Sequence, residues 1–238
     1  MNKVLAIIPA RGKSKGIKNK NLAQLCNKKL IDYSIEVAKE SGCFEDVIVT
    51  SDSDEILDHS RTVYEQVIAI KRPDSLARDT STTYDAVEHA LETYHLSNNA
   101  VNAICLLQPT SPIRQPHQIE DACKIFFKSS KESLISVSSP MQHPTDCIYE
   151  DHHNIKYCFG RDGQSELRRQ DFMKTWFING SIYITDLNFF YEEKEFYSLN
   201  NCELFEMSEE YSIDIDNQFD LKMAEYVLLN AANKKEVT

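Results

Sequence analysis

Two kinds of hydrophobic pattern alternate along the first 139 residues. Short runs rich in apolar and β-branched residues predict buried strands, and apolar residues at helical spacing between these runs predict helices. The predicted strands are 3–8, 46–52, 67–73, 102–108 and 133–138, and the predicted helices are 30–39, 53–66, 82–96 and 116–128. Alternating strands and helices are typical of an α/β fold with a mainly parallel sheet between layers of helices.

The pattern changes in the last 100 residues. Residues 140–176 are rich in turn-forming residues, and their aromatic residues are spaced among polar ones without helical periodicity. A strand pattern resumes at 177–185, and residues 212–232 predict a last short strand followed by a closing helix. We therefore predict one α/β domain formed by 1–139 and 177–238, into which the turn-rich segment is inserted as an antiparallel flap.

Composition narrows the possible partners. The chain of 238 residues has a formal net charge of −11, which argues against broad binding to nucleic acids or anionic membranes. The first apolar run is far too short to span a membrane. The seven cysteines are scattered and contain no CxxC pair, so we expect reduced thiols rather than disulfides. These features predict a cytoplasmic protein without nucleic-acid or membrane partners.

A basic loop follows the first predicted strand, in the stretch IIPARGKSKGIKNKN at 7–21. It contains five cations and no acidic residue, namely Arg11, Lys13, Lys15, Lys18 and Lys20. Parallel sheets bind ligands beyond the carboxyl ends of their strands, and Gly12 and Gly16 could let backbone amides approach a ligand closely. We therefore favour a site for a phosphorylated ligand, although neither a P-loop nor a dinucleotide-binding motif is present. The alternative is a solvated surface loop.

Two carboxylates stand close together in the stretch SIDID. On a strand, Asp214 and Asp216 would point to one face, where their repulsion is relieved by a divalent cation. Mg²⁺ binds one or two carboxylates together with phosphate oxygens, which suits this pair. The alternative is that Asp216 or Asn217 caps the closing helix, with Asp220 in its first turn.

A third candidate is the proline-bracketed loop LQPTSPIRQP after the strand at 102–108. We expect its polar groups, including Gln108 and Arg114, to face the ligand edge of the sheet, where a stiff loop could bind a base or a sugar. It could equally be only a turn. Asp52, at the end of another strand, could contact a ribose or a metal or could cap the strand end.

Four stretches in order resemble the bacterial CMP-N-acetylneuraminate (CMP-sialic acid) synthetases, a family of acylneuraminate cytidylyltransferases. They are IIPARGKSKGIKNKN, KRPDSLARDTSTTYDAV, LLQPTSPIR and SIDIDNQFDL. The resemblance implies a Rossmann-like nucleotidyltransferase fold and the reaction CTP + N-acylneuraminate → CMP-N-acylneuraminate + diphosphate. The similar CMP-Kdo synthetases usually have Arg-Leu-Pro where this chain has Gly16-Ile17-Lys18. The same chemistry on legionaminic, pseudaminic or Kdo-type acids and a catalytically silent nucleotide-binding regulator are the alternatives.

The resemblance also implies residue roles. The residues implied to bind the nucleotide are Arg11, Gly12, Lys15, Lys20 and Asn21 near the phosphates, and Arg72, Thr83 and Gln108 at the cytidine or its ribose. Those implied to bind the sugar acid are Gln108, Tyr183 and Arg169, with Arg168 as the alternative to Arg169. Asp214 and Asp216 match the Mg²⁺-binding pair, and the implied catalytic residues are Arg11, Lys15, Lys20, Asp214 and Asp216.

The inserted flap has an implied role as well. In proteins of this kind it is a dimerisation subdomain, so the resemblance implies that residues 140–176 reach across a homodimer and help to cover the partner's site. The implied product serves sialic acid biosynthesis and surface polysaccharides.

Overall fold

The computed structural model describes residues 3–14, 16–78, 80–95, 101–159 and 172–235. Its strands are β1 (Val4–Pro9), β2 (Gln24–Leu25), β3 (Lys28–Lys29), β4 (Asp46–Ser51), β5 (Val67–Lys71), β6 (Ala103–Leu106), β7 (Ser133–Ser138), β8 (Ile148–Asp151), β9 (Asn154–Tyr157), β10 (Phe177–Asp186) and β11 (Cys202–Glu206). Its helices are α1 (Leu30–Ser41), α2 (Asp54–Val63), α3 (Thr83–His95), α4 (Pro116–Lys128), α5 (Leu187–Glu193) and α6 (Gln218–Lys235).

A seven-stranded sheet forms the centre of the molecule, in the order β11-β7-β10-β6-β1-β4-β5. All neighbouring strands are parallel except β10, which runs antiparallel to both β6 and β7. The α/β fold with a mainly parallel sheet is thus confirmed. The chain moves outward from β1 to β5 on one side and returns to β6 on the other, so a crevice opens at the carboxyl ends of β1 and β6.

Helices cover both faces of this sheet. On one face, side chains from α1, α2 and α4 such as Ile35, Leu57 and Ile119 pack on the strands. On the other face, α3 and α5 contribute Leu91 and Phe190, both fully buried. Each such side chain stabilises the fold by about 1.5–3 kcal/mol relative to exposure.

A third, smaller apolar cluster connects distant parts of the chain. It contains Ile17 from the basic loop, Ile113 from the proline-bracketed loop, Ile215 from the SIDID stretch and Ala224 from α6. Because these apolar side chains leave water together, the three polar stretches that flank them are brought to the same edge of the sheet.

The predicted strand at the SIDID stretch is wrong. Residues 212–217 have no regular secondary structure, and only Ile215 of the two isoleucines is fully buried. The backbone N–H of Ile215 donates to the carbonyl of Thr110 at 2.8 Å, so the segment is held by a loop rather than by a neighbouring strand. The strand β11 and the short helix α5 were not predicted.

The turn-rich segment lies outside the central sheet in the described residues. The strands β8 and β9 form their own antiparallel hairpin, whose side chains Ile148 and Ile155 are 59% and 65% exposed. Residues 160–171 lie outside the described residues. The proposed domain bounds therefore stay a prediction. Among the described residues, no helix combines the length and apolar character that a membrane crossing requires.

Candidate active site

A cleft of about 360 Å³ opens at the carboxyl edge of the sheet. Its walls include eight of the predicted site residues, namely Arg11, Lys20, Asn21, Arg72, Thr83, Gln108, Asp214 and Asp216. Gly12 lines a neighbouring cavity of about 650 Å³, which shares Arg11 with the cleft. Lys15, Arg168 and Arg169 lie outside the described residues. The structure therefore brings four sequence stretches, the first and last about 200 residues apart, into one cleft.

The basic loop contacts the acidic pair directly. The ammonium of Lys20 donates to the carbonyl of Ile215 at 2.7 Å and to Oδ1 of Asp216 at 3.0 Å. A Cβ atom on Gly16 would lie 2.0 Å from the carbonyl oxygen of Asp216, which no real structure tolerates. Glycine at position 16 therefore permits close packing of the loop against Asp216, rather than approach to a ligand as the sequence suggested.

Close packing also explains the glycine at position 12. A Cβ there would lie 2.9 Å from Cβ of Ser53, and the backbone N–H of Gly12 donates to Oδ1 of Asp52 at 2.8 Å. Asp52 thus anchors the basic loop to the end of β4.

The helix cap and the acidic pair are separate. Asn217 Oδ1 accepts the N–H groups of Phe219 and Asp220 at 2.8 and 3.2 Å, so Asn217 is the N-cap of α6. Asp220 Oδ2 accepts the N–H groups of Asp216 and Asn217, both at 2.9 Å. The carboxylate of Asp216 has no part in this cap, and it faces solvent and the ammonium of Lys20 instead.

The pKa of Asp214 differs from the ordinary aspartate value. Solvent reaches Asp214 from the open side of the cleft, but the protein atoms around the carboxyl raise its pKa by desolvation, and the charge of Asp216 raises it further. A hydrogen bond from Thr110 and the charge of Lys20 oppose this rise. A cation bound beside the pair would relieve the same repulsion.

Arg72 is a buried cation on the cleft wall. It is 5% exposed, and its Nη2 lies 3.5 Å from Oδ1 of Asp52. Burial lowers the pKa of Arg72, and the Asp52 carboxylate opposes that effect. Its Nε finds no hydrogen-bond acceptor among the described residues, and the Nη2 contact with Asp52 is an ion pair at the outer limit of hydrogen-bond distance. Buried hydrogen-bond donors almost always have an acceptor. We therefore infer that a ligand in the cleft supplies acceptor atoms to Arg72.

The sequence suggested that Arg114 faces the ligand, but in the structure it does not. Its guanidinium is buried and donates to the carbonyls of Ser181 and Gln108 and, at 2.6 Å, to the hydroxyl of Ser34. Burial lowers the pKa of Arg114 to about 10, so it stays charged at neutral pH. Gly180, with φ of 73°, lies beneath the side chain of Gln108. Arg114 therefore fixes the backbone from which Gln108 projects into the cleft.

Comparison with known proteins shows the family to which this chain belongs. Residues 5–236 match the family model described as Cytidylyltransferase. The chain belongs to the cytidylyltransferase family. It is 33% identical to the CMP-N,N'-diacetyllegionaminic acid synthase of Legionella pneumophila over 95% of this chain and 96% of that one. It is 29% identical to the pseudaminic acid cytidylyltransferase of Campylobacter jejuni strain 81-176, over 93% and 94%.

A third relative is longer than this chain. The N-acylneuraminate cytidylyltransferase of Escherichia coli O18:K1:H7 is 32% identical over 93% of this chain but only 51% of its own length. The chain thus spans about half the length of the N-acylneuraminate cytidylyltransferases that it matches. Among solved structures, a CMP:2-keto-3-deoxy-manno-octonic acid synthetase complexed with CTP has the same fold, with a TM-score of 0.68, 14% identity and coverage of 97% and 100%.

The cleft also contains residues that were not predicted. Ser14, Arg78, Ser81 and Thr82 line it and flank predicted site residues in the first two motifs. Their place inside those motifs was the available signal. Tyr183, in contrast, does not line the cleft and stacks on Tyr197 with ring centroids 6.1 Å apart. Burial raises the pKa of Tyr183 to about 12.

Proposed function

We propose that this chain is a cytidylyltransferase that activates a nonulosonic acid, with N-acylneuraminate as the leading substrate. The observation that supports this most strongly is the meeting of a basic loop with an acidic pair in one cleft, where Lys20 lies 3.0 Å from Asp216. A polyphosphate needs positive charge, and a metal that bridges phosphates needs carboxylates. Both are present within hydrogen-bond distance of each other.

The reaction would proceed by displacement at the α-phosphorus of CTP. The hydroxyl on the anomeric carbon of the sugar acid attacks, an O–P bond forms, and the bond to the bridging oxygen breaks as diphosphate leaves. Both reactants are anions, so charge neutralisation and in-line positioning are the main tasks. Arg11 and Lys20 would bind phosphate oxygens, while Arg72 would donate its Nε–H, which has no acceptor among the described residues, to the nucleotide.

Mg²⁺ is the proposed cofactor, and the residues present fit it. Asp214 and Asp216 are two oxygen ligands on one cleft wall, and the described residues contain no cluster of three or more potential ligands. Such a pair suits an ion that takes its remaining ligands from phosphates and water. When bound, Mg²⁺ would neutralise phosphate charge. Asn217 and Asp220 would keep Asp216 in place through the helix cap.

The sugar acid is proposed from the relatives and not from a contact in the cleft. Their names specify N-acylneuraminate, a diacetyllegionaminic acid and pseudaminic acid, at identities of 32%, 33% and 29%. These nearly equal identities support the class of nonulosonic acids and make a panel of acids necessary. Legionaminic, pseudaminic and Kdo-type acids therefore stay alternatives.

A homodimer is also proposed, through the flap. Large apolar side chains are exposed there, including Met141 at 84% and Met173 at 76% in addition to Ile148 and Ile155. Exposed apolar patches of this kind favour association. Sedimentation equilibrium should give twice the mass of 27.4 kDa, and a monomer at micromolar concentration would contradict the proposal.

A reducing, cytoplasmic location is supported by the seven cysteines, none of which forms a disulfide.

The reaction itself is tested by diphosphate release. Purified protein with CTP, Mg²⁺ and N-acetylneuraminate should release diphosphate, and the isosteric variant Asp214→Asn should lower kcat by about 10²- to 10³-fold. Melting temperature serves as the control for folding. A protein that binds CTP but releases no diphosphate with any acid of the panel would be the silent regulator, and the proposed function would be wrong.

A further inference from the structure

The side chain of Lys20, which belongs to the basic loop, is confined beside the acidic pair. Its side chain is 13% exposed, whereas that of Asp216 is 76% exposed. The ammonium is held at two points, the carbonyl of Ile215 and Oδ1 of Asp216. It therefore occupies a fixed place beside a carboxylate that is otherwise open to solvent.

This placement affects any cation that approaches the pair. Two adjacent carboxylates attract a divalent ion, but an ammonium 3.0 Å from one of them neutralises part of their charge and repels the ion. The described residues provide no cluster of three or more ligands that would compensate. The pair should therefore bind a divalent ion weakly as long as Lys20 stays in contact with Asp216.

A triphosphate would change this balance. Arg11, Arg72 and Lys20 line the same cleft as the acidic pair, so phosphate oxygens bound there would compete with Asp216 for the ammonium. The same oxygens are ligands that a divalent ion prefers. The nucleotide would thus withdraw the competing charge and complete the coordination of the ion.

We propose that Lys20 makes metal binding depend on the nucleotide. Without nucleotide, the ammonium pairs with Asp216 and keeps the affinity for divalent ions low. With nucleotide, the ammonium moves to phosphate and the ion binds. The inference rests on the proposed function for the identity of the nucleotide and the metal, but its metal-only measurement does not depend on catalysis.

The alternative role for Lys20 is purely structural. Through the carbonyl of Ile215, Lys20 could simply hold residues 213–217 in place. The variant Lys20→Gln separates the two roles because it retains a hydrogen-bond donor without the charge, and Lys20→Met removes both. Lys13→Gln is the matched control, because Lys13 belongs to the same loop but lines the neighbouring cavity rather than the cleft.

The test is a titration with Mn²⁺ followed by electron paramagnetic resonance, without nucleotide. In Lys20→Gln we expect the Kd for Mn²⁺ to fall about five- to tenfold, as removal of one close like charge suggests. Lys13→Gln should match the wild type. With CTP, and after correction for Mn²⁺ bound by free CTP, the wild type should bind Mn²⁺ at least about tenfold more tightly than without nucleotide. This factor should shrink in Lys20→Gln.

Reciprocity gives an independent check. If CTP tightens Mn²⁺ binding by some factor, Mn²⁺ must tighten CTP binding by the same factor, which calorimetry measures directly. A Kd for Mn²⁺ that stays unchanged or rises in both Lys20→Gln and Lys20→Met, with melting temperatures near that of the wild type, would overturn the proposal. A wild type that binds no CTP would instead contradict the proposed function, and the metal-only comparison would still report on Lys20.

Discussion

Two walls of the cleft use charged residues in opposite ways. The charged wall, residues 11–14, 16–21 and 213–217, places Lys20 and Asp216 at the cleft surface. The β6 wall, residues 107–114 packed on 178–183, turns Arg114 away from the cleft and satisfies it with two backbone carbonyls and a hydroxyl. The charge of a side chain therefore does not decide its role. What decides it is whether the protein itself satisfies the polar atoms.

Two buried arginines, Arg114 on the β6 wall and Arg72 directly after β5, show the same difference. Arg72 and Arg114 are 5% and 2% exposed, but Arg72 lines the cleft, has no acceptor at Nε among the described residues and has its Nη2 3.5 Å from the Asp52 oxygen. Arg114 also lacks an acceptor at Nε, but its other two nitrogens bond to α1, to β10 and to the loop that follows β6. We infer that Arg72 serves the ligand and Arg114 serves the fold.

The largest expected effect concerns the charged wall. Asp216→Asn should lower kcat by about 10²- to 10³-fold, because a neutral amide no longer attracts the metal and the phosphates lose its charge neutralisation. The neighbouring variant Asn217→Ala removes the cap of α6 instead, at a cost of about 1 kcal/mol in unfolding free energy. Kinetics and thermal melting of both variants check the separation. Equal losses of activity and stability in Asp216→Asn would show that it is structural.

The second prediction compares the two arginines. Arg114→Met leaves the carbonyls of Gln108 and Ser181 without a buried donor and should lower the free energy of unfolding by about 2–4 kcal/mol. Arg72→Met should lower it by less than Arg114→Met does, because the ion pair of Arg72 with Asp52 is long at 3.5 Å, but it should weaken CTP binding about tenfold or more. Urea denaturation and calorimetry measure the two quantities. The contrast between the two arginines fails if Arg72→Met destabilises the fold as much as Arg114→Met does.

Much of the fold could be predicted because burial dictates the pattern. Strands such as β1 and β6 are buried on both faces, so nearly every residue is apolar and the signal is strong. The SIDID stretch has the alternation of a strand, but a strand also needs a neighbour for its hydrogen bonds, and the periodicity contains no such information. The short helix α5 gives too few turns for a periodic signal.

The sequence predicted which stretches would meet at the candidate site but not how their side chains are arranged. The stretches around Arg11, Arg72, Gln108 and Asp214 do meet in the cleft. The first three each follow a strand, and the fourth lies beside the loop that follows β6. The inward turn of Arg114 could not be predicted, since the acceptors that satisfy it lie on α1 and β10, far away in the chain.

The third prediction tests the close packing within the charged wall. Gly16→Ala would place a Cβ 2.0 Å from the carbonyl of Asp216, so the two segments must separate. We expect kcat/KM for CTP to fall about tenfold and the Mg²⁺ concentration for half-maximal rate to rise, because misplacement of a binding group costs transition-state stabilisation. Gly42→Ala is the control. It has open space but φ of 62°, so it should lower stability and leave the kinetics unchanged.

The smallest effect concerns the pH dependence of stability at Asp214. Its pKa in the folded protein is raised, mainly by desolvation, so the folded state favours the protonated carboxyl. The stability that this group contributes is present below its unfolded pKa and is lost as pH rises through the folded pKa. Asp214→Asn mimics the protonated form, so it should melt higher than the wild type at pH 7 and no higher at pH 3. The wild type melting at the same temperature as the variant at both pH values would show that the charged wall tolerates Asp214 without strain.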